Sequence, residues 1–131
     1  MRYLLILGSN FRRAQALRLA AQRLGENVTI VAAAGPSRTR DATAGSRYLN
    51  AAVIIESALT FDQLRAAMKA IEREAGRTSA ASVCALDIDV VARLAGGRIA
   101  EVYKPADLQA GYAAPLLRAL GVGVMADNPL K

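Results

Sequence analysis

The chain has 131 residues, of which 53% are hydrophobic and 21% are charged, a composition that predicts one globular domain over residues 1–131. One cysteine and no histidine exclude an internal disulfide, a zinc site and a Cys-His nucleophile, so we expect a reducing, cytoplasmic location. No apolar run is long enough to span a membrane. The net charge of +6 suits anionic partners, and it equally suits an ordinary solvated surface.

The N-terminal part of the sequence predicts a strand followed by a helix. Residues 3–7 are apolar and lack a following cleavage pattern, which favours a first strand over a signal peptide. A helix is predicted over residues 11–24, with Asn10 as its N-cap and Gly25 as its C-terminal stop.

The middle of the chain predicts two strands separated by a loop. Residues 28–34 make the second strand, and Gly35-Pro36 breaks it. Residues 37–47 are polar and rich in arginine, threonine and glycine, which predicts a loop of the kind that carries binding residues. Residues 48–56 are predicted to form the third strand.

A second helix is predicted after Thr60, because Thr60-Phe61-Asp62-Gln63 has the sequence of a capping box, and Gly76 ends it. Its apolar stripe has helical spacing and is interpreted as core rather than as a cofactor contact; it consists of Phe61, Leu64, Met68, Ile71 and Ala75. Further on, Gly96-Gly97 predicts a hairpin turn. A short helix is predicted around residues 115–120, followed by an apolar tail.

The segment around Asp87 and Asp89 is the most informative part of the sequence. The two aspartates lie two residues apart in a run that otherwise reads as a strand, so they share one face while their apolar neighbours share the other. Two carboxylates about 7 Å apart repel each other unless water, a base or a cation lies between them, and oxygen ligands suit Mg²⁺ held together with substrate phosphates. The pattern also fits the solvated face of an antiparallel strand, so spacing alone leaves both interpretations open.

The order of these elements predicts the fold class. Strand, helix, strand, strand, helix and strand, followed by a hairpin, indicate an α+β ferredoxin-like βαββαβ sandwich with an antiparallel sheet and an added C-terminal hairpin and helix. This fold carries many unrelated functions, so the function must be argued from individual residues.

Three separated segments resemble, in order and approximate spacing, the 6-hydroxymethyl-7,8-dihydropterin pyrophosphokinase family of folate biosynthesis. They are Leu7-Gly8-Ser9-Asn10, Tyr48-Leu49-Asn50-Ala51-Ala52-Val53 and Leu86-Asp87-Ile88-Asp89. Ile71-Glu72 and Gly76-Arg77 add to the resemblance, which covers about the first hundred residues. It implies an enzyme that transfers the β,γ-pyrophosphoryl group of ATP to the pterin hydroxymethyl group and releases AMP.

The resemblance also implies roles for individual residues. Asp87 and Asp89 match the aspartates that hold two Mg²⁺ ions with ATP. Arg77 and Glu72 match residues of the catalytic region. The implied pterin-binding positions are Thr39, Tyr48, Asn50 and Tyr112. From the residues alone, ordinary strand packing is the alternative for Tyr48 and Asn50, and a helix-surface charge is the alternative for Glu72.

Several positions depart from the family pattern. Cys84 stands where a catalytic arginine is expected, Ala106-Asp107 replaces a His-Tyr pair after Pro105, and the chain has no tryptophan. This loss of cationic donors favours a second hypothesis, a catalytically impaired or inactive homologue that binds a pterin or nucleotide. A third, an RNA-binding domain, is disfavoured because the first and third strands lack paired aromatic residues. We therefore expect ATP and a pterin as partners, without a membrane or a nucleic acid.

Overall fold

The computed structural model describes residues 1–10, 13–40, 47–75 and 86–122. Within these ranges the elements follow in chain order as β1 (Arg2–Ser9), α1 (Arg13–Asn27), β2 (Thr29–Arg40), β3 (Arg47–Glu56), α2 (Phe61–Glu74), β4 (Asp87–Ala95), β5 (Arg98–Val102), α3 (Pro105–Gln109) and α4 (Ala113–Leu120). This βαββαβ order with an added hairpin and C-terminal helices confirms the predicted α+β fold. None of the described helices is long and apolar enough to cross a membrane.

The five strands form one sheet in the order β2-β3-β1-β4-β5, and every neighbouring pair is antiparallel. β1 is the central strand, and seven of its eight residues are buried. A strand with a continuous apolar run, rather than an alternating one, is expected where both faces of a sheet are covered. Helices therefore lie on both sides of this sheet.

The first face of the sheet is the one that packs against α1 and α2. Its strand residues and the inner sides of the two helices form one buried apolar cluster: Tyr3, Leu5, Leu7, Ala16, Ala20, Leu24, Val53, Ile55, Leu64, Met68, Ile71, Leu86, Ile88 and Val90. The predicted stripe of the second helix is part of it, because Leu64, Met68 and Ile71 are buried while Phe61 and Ala75 pack at its margin. The stripe is core, as predicted.

The second face of the sheet packs against α3 and α4. A separate apolar cluster lies there: Leu4, Ile6, Ala34, Ala52, Ile54, Val91, Ala92, Leu94, Leu108, Ala113, Leu116, Leu117 and Val122. α4 extends the predicted 115–120 helix by two residues at its start, and Gly121 ends it with a φ of 73°. α3 was not predicted from the sequence. The apolar tail lies outside the described residues.

The capping box and the hairpin turn are both present. The Thr60 hydroxyl accepts a hydrogen bond from the Gln63 backbone N–H at 3.2 Å, and the Gln63 side chain accepts one from the Thr60 N–H at 3.0 Å. Gly96 and Gly97 have φ values of 59° and 79° between β4 and β5, which is the pair of positive angles that a two-residue hairpin turn requires.

The prediction that Gly35-Pro36 ends the second strand is wrong. β2 continues to Arg40, and the chain shifts register between Ala34 and Ser37. Proline lacks an N–H donor, but β2 is an edge strand, where a missing ladder bond and a bulge are tolerated. Much of the predicted 37–47 loop is therefore strand, and residues 41–46 lie outside the described part of the chain.

The prediction that Gly25 stops the first helix is also wrong, because α1 continues to Asn27. Glycine costs only about 1 kcal/mol in a helix interior, and side-chain bonds stabilise the last turn. Arg23 pairs with Glu26 at 3.2 Å, and the Asn27 amide donates to the Arg23 carbonyl at 2.8 Å. The helix start at residues 11–12, and with it the prediction of Asn10 as N-cap, lies outside the described residues, as does Gly76.

Candidate active site

A row of residues across three strands defines the centre of the candidate site. Asn50 on β3 lies opposite Gly8 on β1, and Gly8 lies opposite Asp87 on β4. Residues directly opposite each other in a sheet point to the same face. Because Gly8 has no side chain, the buried Asn50 amide and the Asp87 carboxyl group are separated by a backbone-only strand, about 10 Å apart by strand spacing.

The acidic pair lies on the second face, at the end where β4 begins. Asp87 and Asp89 are half-buried, while the residues that alternate with them belong to the first-face cluster. The alternation predicted from the sequence is therefore present. Both carboxyl groups share a face with the Asn50 amide, at the margin of the second apolar cluster.

Lys104 reaches the acidic pair from the segment that follows β5. The backbone N–H groups of Tyr103 and Lys104 both donate to the Val91 carbonyl, at 2.8 and 3.2 Å, which brings the chain back along β4. The Lys104 ammonium group then donates to Asp89 Oδ1 at 2.8 Å. Lys104 therefore brings a positive charge into contact with one of the two aspartates. The sequence pattern did not indicate this residue as part of the site.

The surroundings lower the pKa of Asp89. Burial is the largest influence and raises it, but the hydrogen-bond contact with Asp87, the bond from Lys104 and the charges of Lys104 and Lys69 together outweigh burial. The pKa of Lys104 is raised, mainly by its hydrogen bond to Asp89, with burial acting in the opposite direction. The two groups therefore form an ion pair across the neutral pH range.

Asp107 on α3 is a second charged group that the sequence analysis did not select as a site residue. Burial, followed by the charge of Asp89, raises its pKa, with the charge of Lys104 opposing the shift. Within the described residues, its Oδ2 atom is buried without a hydrogen-bond partner. A raised pKa keeps a proton on this carboxyl group over a wider range, which reduces the cost of burying it.

Glu72 supports the strand from the opposite side. It is 1% exposed, and its Oε2 accepts a hydrogen bond of 2.7 Å from the backbone N–H of Ile88, the residue between the two aspartates. Its Oε1 lies 3.5 Å from the Lys69 ammonium group. Since Glu72 belongs to α2, this carboxylate links the first-face helix to the segment of β4 that carries the acidic pair.

The remaining predicted residues are distributed as follows. The strand register places Thr39 opposite Tyr48, and Tyr48 lies two residues before Asn50 on β3. Tyr112 immediately precedes α4 and packs against the second-face cluster. Arg77 and Cys84 lie outside the described residues. The structure thus gathers Asn50, Tyr112 and the acidic pair on the second face.

The donor set of the acidic pair fits a magnesium ion bound together with phosphate. Searched over the described ranges, the chain has no group of three or more acidic, cysteine or histidine side chains able to hold a metal. Mg²⁺ is commonly bound by one or two carboxylates, with waters and substrate phosphates completing its shell. That Asp89 already accepts a cationic group at 2.8 Å shows that the site accommodates positive charge.

Of the two additional residues, only Lys104 has a weak signal in the sequence. Lys104 precedes Pro105, and proline is common in the first turn of a helix, so this pair of residues could have indicated a helix that begins just after a lysine. Nothing in the sequence showed that the chain would fold back onto Val91 and reach Asp89. That placement depends on tertiary contacts.

Comparison with known proteins agrees with the geometry. Residues 4–111 match the family model described as 7,8-dihydro-6-hydroxymethylpterin-pyrophosphokinase. Comparison with curated proteins gave no significant match. The family match spans β1 to the residues just before Tyr112, and so includes Asn50, Asp87, Asp89 and Lys104. The chain therefore belongs to the 7,8-dihydro-6-hydroxymethylpterin pyrophosphokinase family.

Proposed function

We propose that this protein transfers the pyrophosphoryl group of ATP to 6-hydroxymethyl-7,8-dihydropterin in folate biosynthesis, with Mg²⁺ and with AMP as the second product. The observation that carries the proposal is the arrangement of Asp87 and Asp89 on the same face as the buried Asn50 amide, with only the Gly8 backbone between them. The two aspartates offer ligands for a metal and its phosphates. The Asn50 amide carries a donor and an acceptor of the kind that pair with a heterocycle edge.

In the proposed reaction, the hydroxymethyl oxygen attacks the β-phosphorus and releases its proton to solvent, while the bond from that phosphorus to the bridging oxygen breaks and AMP leaves with that oxygen. Asp87 and Asp89 would hold Mg²⁺, which supplies charge neutralisation of the triphosphate when it is bound. The protein's contribution is to position the two substrates and fix the charges around them, so the absence of histidine is no obstacle to this class of transfer.

The pterin is expected to lie near Asn50, with Thr39, Tyr48 and Tyr112 as further binding positions. A side-chain amide carries both a donor and an acceptor, which suits recognition of a heterocycle edge. Arg77 is proposed to contact phosphate oxygens. Cytoplasm remains the expected location.

For Glu72 we propose a positioning role. Its carboxylate is engaged by the Ile88 N–H on the side of the strand that faces α2, so it orients the backbone between the two aspartates. A group that orients metal ligands, here Asp87 and Asp89, affects the reaction through those ligands.

The test is AMP formation from ATP, Mg²⁺ and 6-hydroxymethyl-7,8-dihydropterin. Asp87→Asn and Asp89→Asn are each expected to lower kcat/KM roughly 100- to 1000-fold, because each removes charge stabilisation at the phosphates. Asp62→Asn, on the exposed surface of α2, is the charge-matched control and should leave the rate unchanged. Absence of AMP with the wild-type protein, or an undiminished rate in the double Asp87→Asn, Asp89→Asn variant, contradicts the proposal.

A second candidate is a protein that binds the pterin or the nucleotide without turnover. The observation that favours it is Asp107, a carboxyl group on the same side of the sheet whose pKa responds to Asp89, in place of a cationic contact for the triphosphate. Calorimetry with the pterin and with a non-hydrolysable ATP analogue separates the candidates. Pterin binding together with no AMP formation would favour the second one.

A further inference from the structure

We propose that Lys104 is a tethered cation that occupies the acidic pair while no divalent ion is bound, and that it moves to the nucleotide phosphates when a divalent ion takes its place. This inference rests on the proposed function of Asp87 and Asp89 as metal ligands. It assigns a nucleotide-binding role to a residue outside the motifs that define the family resemblance.

Lys104 and Asp89 are in direct contact. The Lys104 ammonium group lies 2.8 Å from Asp89 Oδ1, and the side chain of Asp89 is only 16% exposed. A divalent ion at the pair would use the same carboxylate. Two cations at such short range repel each other strongly in a partly desolvated site, so tight metal binding requires the ammonium group to leave.

Lys104 is held at its backbone, while its long side chain is half-exposed. Its N–H donates to the Val91 carbonyl at 3.2 Å, which holds the start of the side chain beside β4. The side chain itself is 47% exposed, and a lysine stem has four flexible carbons. After displacement the ammonium group therefore remains within a few ångströms of the site.

Asp107 adds a further negative group near this contact. Its charge raises the pKa of Lys104, and the charge of Asp89 raises the pKa of Asp107, so a triphosphate entering here meets three carboxyl groups. An ammonium group that leaves Asp89 is available to pair with phosphate oxygens, for which lysine is a common partner. Lys104 then offsets part of the negative charge that Asp107 adds.

The experiment measures two affinities in the whole protein. Binding of Mn²⁺ alone is followed by electron paramagnetic resonance, and binding of the magnesium complex of α,β-methylene-ATP is followed by calorimetry. In Lys104→Met, Mn²⁺ alone should bind roughly tenfold more tightly, because no ammonium group competes for Asp89, and the magnesium nucleotide should bind roughly tenfold more weakly. Opposite changes in the two affinities are not expected from simple structural damage.

Three further variants serve as controls. Lys104→Arg keeps the charge and should restore most of the nucleotide affinity. Arg65→Met, on the exposed side of α2, removes the same charge at a distance and should leave both affinities at wild-type values. Lys104→Gln, which keeps a polar side chain, should change both affinities in the same directions as Lys104→Met if the charge is what matters.

The outcomes separate this inference from the proposed function. Unchanged or weaker Mn²⁺ binding in Lys104→Met and Lys104→Gln, with Mn²⁺ binding still abolished by Asp87→Asn plus Asp89→Asn, overturns the inference and leaves the metal site standing. Absence of Mn²⁺ binding from all variants, with or without nucleotide, overturns both.

Discussion

The two faces of the sheet differ in what their strand residues do at the end where β4 begins. On the first face, the strand residues are apolar as far as Leu86 and Ile88, and they pack against α1 and α2. On the second face the apolar cluster stops, and Asn50, Asp87 and Asp89 follow it on the same strands. One sheet thus serves as a packed core on one side and offers a polar surface on the other.

Helix length accounts for this difference. α1 and α2 have 15 and 14 residues and are about 22 and 21 Å long, close to the length of about 27 Å for β1. α3 and α4 have only 5 and 8 residues, or about 8 and 12 Å. Helices this short cover only part of the second face.

The largest expected effects on stability come from leucines buried in the two apolar clusters, one on each face of the sheet. Leu64→Ala should lower the free energy of unfolding by about 3 kcal/mol, since it leaves a cavity in a fully buried cluster, and it should leave the KM for the pterin unchanged. Leu116→Ala on the second face should cost a similar amount and raise that KM, because Leu116 approaches Gly35, next to Asn50. Urea unfolding and steady-state kinetics measure the two quantities. Equal effects on KM would remove the contrast between the faces.

Gly35 links the second face to Asn50 through its backbone. Its φ is 92°, and a Cβ atom there would lie 2.9 Å from the Asn50 carbonyl oxygen. Gly35→Ala should therefore lower the free energy of unfolding by about 2 to 3 kcal/mol and raise the KM for the pterin. Gly25→Ala is the matched control, because a Cβ there meets nothing within 4 Å, and in a helix it should stabilise the protein slightly. A Gly35→Ala protein as stable as wild type would contradict the role of this glycine.

Variants of Glu72 test whether this first-face carboxylate only positions the site or acts directly in the reaction. Glu72→Ala should cost about 2 kcal/mol of unfolding free energy, because it leaves the Ile88 N–H without its acceptor. It should also raise the Mg²⁺ concentration that gives half the maximal rate. Glu72→Gln retains an oxygen that accepts this hydrogen bond, so it should restore both stability and rate. A Gln variant that folds normally but is as slow as the Ala variant would indicate that the charge acts on the reacting atoms directly.

The smallest expected effect is the pH dependence of stability at Asp107. A pKa that is higher in the folded protein favours folding below the ordinary value of 3.8, and this contribution is lost as the pH rises through the folded pKa. Asp107→Asn should therefore raise Tm at pH 7, and the gain should shrink towards pH 3. Scanning calorimetry at the two pH values measures it, with Asp62→Asn as the exposed control. A fall in Tm at pH 7 would contradict this electrostatic account.

The sequence predicted those features that depend on local pattern. The capping box at Thr60, the hairpin at Gly96-Gly97 and the alternation around Asp87 each follow from a few neighbouring residues, and the structure confirms them. The order of strands and helices then restricts the topology to few arrangements.

The features that the sequence missed depend on tertiary context. Gly35-Pro36 reads as a break, yet β2 continues as an edge strand because β3 supplies its partner residues on both sides of the bulge. Gly25 reads as a helix stop, yet α1 passes through it. The contact from Lys104 to Asp89 requires the segment after β5 to return to Val91, which no local pattern encodes.

The central claim is that Asp87 and Asp89 hold the metal ion that binds the nucleotide phosphates. The most direct measurement is the anomalous scattering of Mn²⁺ in crystals of the protein grown with α,β-methylene-ATP. The account predicts a peak in direct contact with both carboxyl groups, at a metal-to-oxygen distance of about 2.2 Å, and bonded to phosphate oxygens. Nucleotide bound elsewhere, or Mn²⁺ bound to the phosphates without either aspartate, would contradict it.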